Sequence, residues 1–263
     1  MKIEIATVLE NKLIASNIWK MKMTAPGIAE QYKGPGQFIQ ILVQSSWDNP
    51  LRRPMSIAAV DGDQIVIIYK VFGRMTQILT EQEAGEELDI LGPLGNTFRW
   101  GDDEFTPVLV GGGVGLAPIL NMYGECTAAG QNAVLVIGAR TGAEHFIDHE
   151  PQNNVFLATD DGTAGITGTV IPAIAISLKN TGKPEILACG PEPMLKAVQE
   201  FAAAHEIPAQ LSVESYMGCG IGICQGCVVE RVNGNVSEHS YHEKYSLVCI
   251  DGPVYKSEEV IIG

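Results

Sequence analysis

Four cysteines toward the C-terminal end constrain this chain more than any other feature. The run Cys219-Gly220-Ile221-Gly222-Ile223-Cys224-Gln225-Gly226-Cys227 reads as C-x4-C-x2-C, and a further thiol, Cys249, follows at a distance. Three thiolates on one short loop and one from elsewhere form a donor set that surrounds a [2Fe–2S] cluster. Such a loop must bend tightly, which Gly218, Gly220, Gly222 and Gly226 permit. Glycines also let amide N–H groups approach sulfur, where hydrogen bonds help to set a reduction potential. Two other readings stay open. Structural zinc more often takes two Cys-x2-4-Cys pairs, and a disulfide framework belongs to oxidising compartments and small secreted domains. Cys219, Cys224, Cys227 and Cys249 are therefore the predicted metal ligands. Cys126 falls in a helical pattern and reads as a small buried apolar residue.

Length and charge bound the partners. With 263 residues the chain has room for two ordinary domains and a small module. Seventeen basic against thirty-one acidic residues give a net charge of −14, which argues against nucleic acid or anionic membranes. The start, Met1-Lys2-Ile3-Glu4-Ile5, has no apolar h-region, and no apolar run approaches the roughly 18 residues of a membrane span. A cytoplasmic protein with reduced thiols is the expectation. The five histidines do not converge, and His239 and His242 read as solvated loop residues.

Rhythm divides the chain into three. Residues 1–100 alternate like strands, at Lys2–Leu9, Trp19–Thr24, Gln37–Val43 and Gln64–Phe72, separated by Gly, Pro and Asp turns. That pattern predicts a small antiparallel barrel, with one short helix over Thr76–Glu83. Residues 101–213 carry short apolar runs at Thr106–Val110, Ala133–Gly138, Val155–Thr159, Glu185–Cys189 and Gln210–Val213. Helical stretches at Ala117–Ala129, Thr167–Lys179 and Pro193–His205 lie between several of them, so a parallel sheet with helices on both faces is predicted. Residues 214–263 hold the cysteine loop and a hairpin candidate, Val228–Val232 turning at Asn233-Gly234. The fold class is thus α/β plus all-β with a small C-terminal module. No Ser- or Pro-rich linker divides the parts, so close packing is expected.

Several motifs sit where phosphates and cofactors bind. Gly111-Gly112-Gly113-Val114-Gly115 lies where a strand meets a helix, and a pyrophosphate can approach glycine backbone there. Cys189-Gly190-Pro191 occupies another strand-to-helix junction, with Cys189 expected to face the crevice. A plain tight turn and a small strand-end residue are the simpler readings of these two motifs. Asp160-Asp161-Gly162 could accept hydrogen bonds from a ribose and repel a 2′-phosphate, or could be solvated turn residues. Arg52-Arg53-Pro54-Met55-Ser56 puts guanidinium groups and a hydroxyl on one strand, where Pro54 would have to break the pleat for Arg53 and Ser56 to share a face. Gly73-Arg74-Met75-Thr76 opens the short helix, and Leu91-Gly92-Pro93-Leu94-Gly95-Asn96 reads as a turn-rich link out of the barrel.

Together these motifs resemble the ferredoxin–NADP reductase superfamily, across essentially the whole chain. The order of the three parts is most similar to the electron-transfer subunits of dihydroorotate dehydrogenase B. The resemblance implies an FAD-binding barrel, an NAD-binding α/β domain and a [2Fe–2S] module. It gives Arg53 to the FAD pyrophosphate and Ser56 to the reactive flavin edge, next to Pro54 and Met55. Tyr69, Lys70, Gly73 and Thr76 would complete the flavin site. Gly112, Gly113 and Gly115 would line the NAD site, with Asp160 at the ribose and Cys189 and Gly190 by the nicotinamide. Met55 stands where many members carry an aromatic residue, and Met75 where a glycine is common. The implied function is electron transfer from a catalytic FMN subunit, which oxidises dihydroorotate, through [2Fe–2S] and FAD to NAD. A heterotetramer of two chains of each kind is implied as well. The small subunit of a ferredoxin-linked transhydrogenase or a sulfhydrogenase is the alternative circuit.

Overall fold

The structure, a computed structural model, describes residues 1–43, 50–102, 104–232 and 241–263. Six strands close an N-terminal antiparallel barrel: β1 (Lys2–Ala15), β2 (Ile18–Thr24), β3 (Phe38–Leu42), β4 (Arg53–Asp61), β5 (Gln64–Lys70) and β6 (Glu87–Leu94), in the order β1-β2-β5-β4-β3-β6. Two short helices, α1 (Pro26–Ala29) and α2 (Arg74–Thr80), fall between strands. Period-two patterning turns Met21, Met23, Ile39, Ile41, Ile67 and Ile90 inward, all fully buried. Each such side chain contributes about 1.5–3 kcal/mol by leaving water.

The barrel differs from the sequence expectation in three places. First, β1 runs on past Leu9 to Ala15, with register shifts at Val8/Glu10 and Leu13/Ala15 that let it bend. Second, the segment read as a link continues β6 as far as Leu94. Leu91 and Leu94 are apolar, and both join the core of the neighbouring sheet, so burial overrides the local turn signal. Third, α2 begins at Arg74, where Thr76 Oγ1 accepts hydrogen bonds from the N–H groups of Phe72 (3.0 Å) and Gly73 (3.1 Å).

The second part is a parallel sheet of β7 (Thr106–Gly112), β8 (Val134–Ala139), β9 (Val155–Thr159), β10 (Ile166–Thr167), β11 (Pro184–Cys189) and β12 (Ala209–Ser212). Helices α3 (Leu116–Ala128), α4 (Val170–Ser177) and α5 (Glu192–Ala204) connect its strands, which lie in the order β10-β9-β8-β7-β11-β12. From β7 the chain first steps one way to β8 and β9, then returns to the other side at β11. The crevice between β7 and β11 is therefore the switch point, where ligands of such sheets bind.

In the C-terminal segment β13 (Val228–Glu230) pairs antiparallel with β14 (Tyr245–Leu247). The expected Asn233-Gly234 turn and His239 lie outside the described residues. A last strand, β15 (Val254–Lys256), leaves the segment and joins the parallel sheet, antiparallel to β12. Nothing in its short polar-flanked sequence announces this.

The parts are fastened by polar contacts. Asn121 on α3 donates to the Ile57 carbonyl (2.9 Å) and to the Tyr32 hydroxyl (2.7 Å), fixing α3 against the barrel. Asn96, just past β6, donates to the carbonyls of Asp251 (2.9 Å) and Val254 (2.8 Å), while its Oδ1 accepts from the Val254 N–H. Among the described residues no helix is long and apolar enough to cross a membrane.

Candidate redox site

The four cluster cysteines come together as two pairs. The Cys224 N–H donates to Cys219 Sγ and the Cys249 N–H to Cys227 Sγ, each at 3.4 Å. All six cysteines of the chain are free thiols, which removes the disulfide reading. Among the described residues no three metal-binding side chains form one cage. Tetrahedral zinc needs four donors on a single centre, whereas a sulfide-bridged iron pair takes its four thiolates across two metals. The paired arrangement fits two irons. Cys227 and Cys249 are rooted in the same core as Leu247 and Val248, while Cys224 is exposed.

Local electrostatics differ between the pairs. Burial opposes ionisation of Cys219, but N–H groups of Cys224 and Ile221 aimed at its sulfur hold its pKa down to about 7. Burial, with the adjoining Cys227, pushes Cys249 up to about 12. A metal must therefore displace a proton from Cys249, while Cys219 is already partly thiolate at neutral pH.

The predicted flavin residues lie where two barrel strands part. β4 pairs with β5 only from Ile57↔Ile67 onward, and β5 continues beside β2 through Tyr69↔Trp19 and Lys70↔Ile18. Arg53, Pro54, Met55 and Ser56 thus form one wall of an open strand edge, and Lys70 with Gly73 lies across it. Pro54, which lacks an N–H, is tolerated because β4 has no β5 partner at that level. The ladder to β3 runs unbroken through Gln40↔Pro54, Ile39↔Met55 and Phe38↔Ser56, so the pleat holds at Pro54 and the Arg53 and Ser56 side chains flank the edge from opposite faces of β4.

The two arginines have different partners. Arg52 bonds the Asp89 carboxylate (2.8 Å) and carbonyl (2.9 Å), whereas Arg53, among the described residues, bonds the carbonyls of Leu51 and Arg52. Among the described residues Arg53 has no carboxylate partner. The Tyr69 ring is 1% exposed inside the barrel, with the hydroxyl donating to Asn11 Oδ1 at 2.9 Å. Its backbone alone could face a flavin. Lys70 Nζ bonds Glu144 at 2.9 Å, and Arg140 holds the other oxygen at 3.2 Å. The Thr76 hydroxyl is engaged in capping α2. Phe72, which the sequence reading passed over, is 91% exposed beside this edge.

At the switch point the two predicted nucleotide loops touch. Cys189 pairs in register with Gly111. A Cβ on Gly115 would stand 2.2 Å from the Cys189 carbonyl oxygen, so only glycine permits this approach. A Cβ on Gly112 or Gly190 would meet Met194 at 2.4 Å. Gly113 adopts φ +58°, the left-handed region. Cys189 ends β11 as expected, but its thiol is buried at 3% exposure rather than open to the crevice, and burial pushes its pKa up strongly. In the acidic turn Asp161 accepts from the Thr163 N–H (3.0 Å) and hydroxyl (2.6 Å), leaving Asp160 exposed at the end of β9.

Residues 214–261 match the iron–sulfur cluster binding domain of dihydroorotate dehydrogenase B, and residues 109–200 match the oxidoreductase NAD-binding domain. The electron transfer subunit of dihydroorotate dehydrogenase B (NAD(+)) from Bacillus velezensis is 37% identical, over 97% of this chain and 98% of its own length. The corresponding Fusobacterium nucleatum subunit is 33% identical over the full length of both. The structure of NADH-dependent reduced ferredoxin-NADP oxidoreductase, described in the context of flavin-based electron bifurcation, overlays with a TM-score of 0.82 at 25% identity. That overlay covers 98% of this chain and 90% of the other. Phthalate dioxygenase reductase shares the fold, with a TM-score of 0.62 at 15% identity over 94% of each chain. This chain belongs to the family of dihydroorotate dehydrogenase B electron transfer subunits.

Proposed function

We propose that this chain takes electrons from a dihydroorotate-oxidising FMN subunit and passes them through a [2Fe–2S] cluster and FAD to NAD, as a step of pyrimidine biosynthesis. It is an oxidoreductase subunit with FAD, [2Fe–2S] and NAD as cofactors. One observation carries the reading: the loop that holds Cys219, Cys224 and Cys227 meets β3 where Gly220 lies against Gln40, and β3 neighbours the open β4 edge. Cluster ligands and flavin wall thus flank one strand. FAD supplies the conversion between single electrons and a hydride, chemistry no side chain provides.

The chain's own residues bind and aim. Arg53 takes the FAD pyrophosphate, for which a planar guanidinium with no competing carboxylate among the described residues is suited. Pro54, Met55 and Ser56 line the flavin edge, and Lys70 and Gly73 face them. Gly112, Gly113 and Gly115 admit the dinucleotide at the switch point, with Gly190 beside them. Asp160 accepts from the ribose hydroxyls and disfavours a 2′-phosphate. Cys219, Cys224, Cys227 and Cys249 hold the irons.

A partner is expected because the relatives of 33–37% identity are electron transfer subunits. Tyr216 (96% exposed), Ile223 (78%) and Ile250 (53%) put large apolar side chains into water around the cluster loop, which supports a docking face there. Two copies of each chain is the assembly proposed. Co-expression with the FMN subunit tests the reading. Orotate-linked NAD reduction that needs both chains is expected, and a stable complex without dihydroorotate activity would contradict it. The 0.82 overlay with a ferredoxin-NADP oxidoreductase favours a second reading, in which the same cofactors serve a ferredoxin-linked transhydrogenase. Native mass spectrometry of the complex separates the two by the mass of the partner.

A further inference from the structure

Gln40 has the surroundings of a core residue and the side chain of a hydrogen-bonding one. It lies on β3 at 0% exposure, and neither Oε1 nor Nε2 has a hydrogen-bond partner. Its strand neighbours Ile39 and Ile41 fill the barrel, so the Gln40 side chain leaves by the outer face. There it meets the cluster loop. A Cβ added to Gly220 would stand 2.7 Å from Gln40 Nε2 and 2.9 Å from its Cγ. Gly220 directly follows the ligand Cys219. Across the ladder from Gln40 stand Pro54, in the flavin wall, and Leu91, which shares a core with Cys227 and Cys249. The amide thus lies between the two cofactor-binding segments.

A buried amide unpaired at both ends is a net penalty that a methionine or leucine of similar size would avoid. Its neighbours cannot relieve it by side-chain bonds, since Pro54, Leu91 and Gly220 have no polar side-chain atom. The loop above it is the one that carries sulfur. Thiolates and bridging sulfides accept N–H hydrogen bonds, which stabilise the added negative charge of a reduced cluster. We propose that Gln40 Nε2 donates to a sulfur of the loaded [2Fe–2S] site, as a positioning residue that raises the cluster's reduction potential. Gly220, whose φ of +71° already favours glycine, also leaves that approach open, since a Cβ there would block it. The inference rests on the reading that the four cysteines hold a [2Fe–2S] cluster.

The test is an EPR-monitored redox titration of the intact complex, as wild type, Gln40→Met and Gln40→Leu. The two substitutions differ in shape but share the loss of the donor. Both are expected to retain iron and acid-labile sulfide, to move the midpoint to lower potential and to alter the cluster g values. Unchanged midpoints and g values, or midpoints that move upward or in opposite directions, overturn the role of Gln40. A wild-type complex with no cluster signal overturns the cluster reading along with it, so the two failures are distinguishable.

Discussion

The nucleotide turn and the cluster loop are both rich in glycine, for reasons that overlap only in part. At the turn, protein atoms fill the space: a Cβ on Gly115 would meet the Cys189 backbone at 2.2 Å. In the cluster loop the glycines divide: a Cβ on Gly218 would find only Cys224 Sγ, at 3.4 Å, and one on Gly226 would find Cys224 Sγ at 3.7 Å and the Tyr216 carbonyl oxygen at 4.0 Å, whereas Gly220 is crowded by Gln40 and Gly222 by Ile250. The turn is filled by the chain's own packing where it meets β11, whereas the cluster loop is packed at Gly220 and Gly222 and keeps room beside Cys224, which is exposed. Perturbing the turn should therefore damage the fold, and perturbing the loop should damage the cofactor.

The largest effect is expected from Cys224→Ser. It should abolish the cluster and all transfer to the partner, while FAD content and NADH–dye reduction persist, because the flavin and nucleotide residues lie on other segments. Iron, sulfide and flavin assays on one preparation check this; loss of FAD as well would show that the loop supports the barrel. Next comes Gly115→Ala, where overpacking against backbone should cost about 1–3 kcal/mol and weaken NADH binding. Gly226→Ala, with an uncrowded neighbourhood, should cost less than about 1 kcal/mol. Equal melting shifts for these two would erase the contrast drawn above.

Arg53→Ala should weaken FAD retention by roughly 10–100-fold, the worth of a charge-assisted hydrogen bond. Arg52→Ala should instead lower stability through Asp89 with flavin affinity kept. Flavin release followed by fluorescence separates them, and unchanged release in Arg53→Ala would refute its role. The smallest effect is electrostatic. Burial would raise the Glu144 pKa, but the Lys70 hydrogen bond and charge, then Arg140, hold it below the usual carboxylate range. A folded value below the unfolded one stabilises above roughly pH 4.3 and is lost as pH falls through the lowered value. Lys70→Met should therefore cost about 1–2 kcal/mol at neutral pH and progressively less in acid. Melting curves across pH test this, and a deficit that grows on acidification would contradict it.

What could be read from the sequence was whatever depends on local spacing. The C-x4-C-x2-C run, the strand alternation, and the glycine turns at strand ends follow from residues close in the chain. What escaped depends on long-range burial. Tyr69 alternates like a strand residue, yet which face it takes is set by Asn11 on a distant strand. Arg52 and Arg53 are indistinguishable until Asp89 claims one of them. Leu91 and Leu94 look like a turn until the neighbouring sheet buries them. β15 is three residues long and is explained only by its partner β12. Gln40 sits among isoleucines, with no local sign that its amide would be buried against the cluster loop.

Anaerobic NADH titration of the isolated chain, read by EPR with iron and acid-labile sulfide analysis of the same sample, tests the central claim most directly. The account predicts about two irons and two sulfides per chain and a [2Fe–2S] signal that grows as NADH is added. A flavin that NADH reduces while no such signal appears, or a preparation free of iron and sulfide, would contradict it.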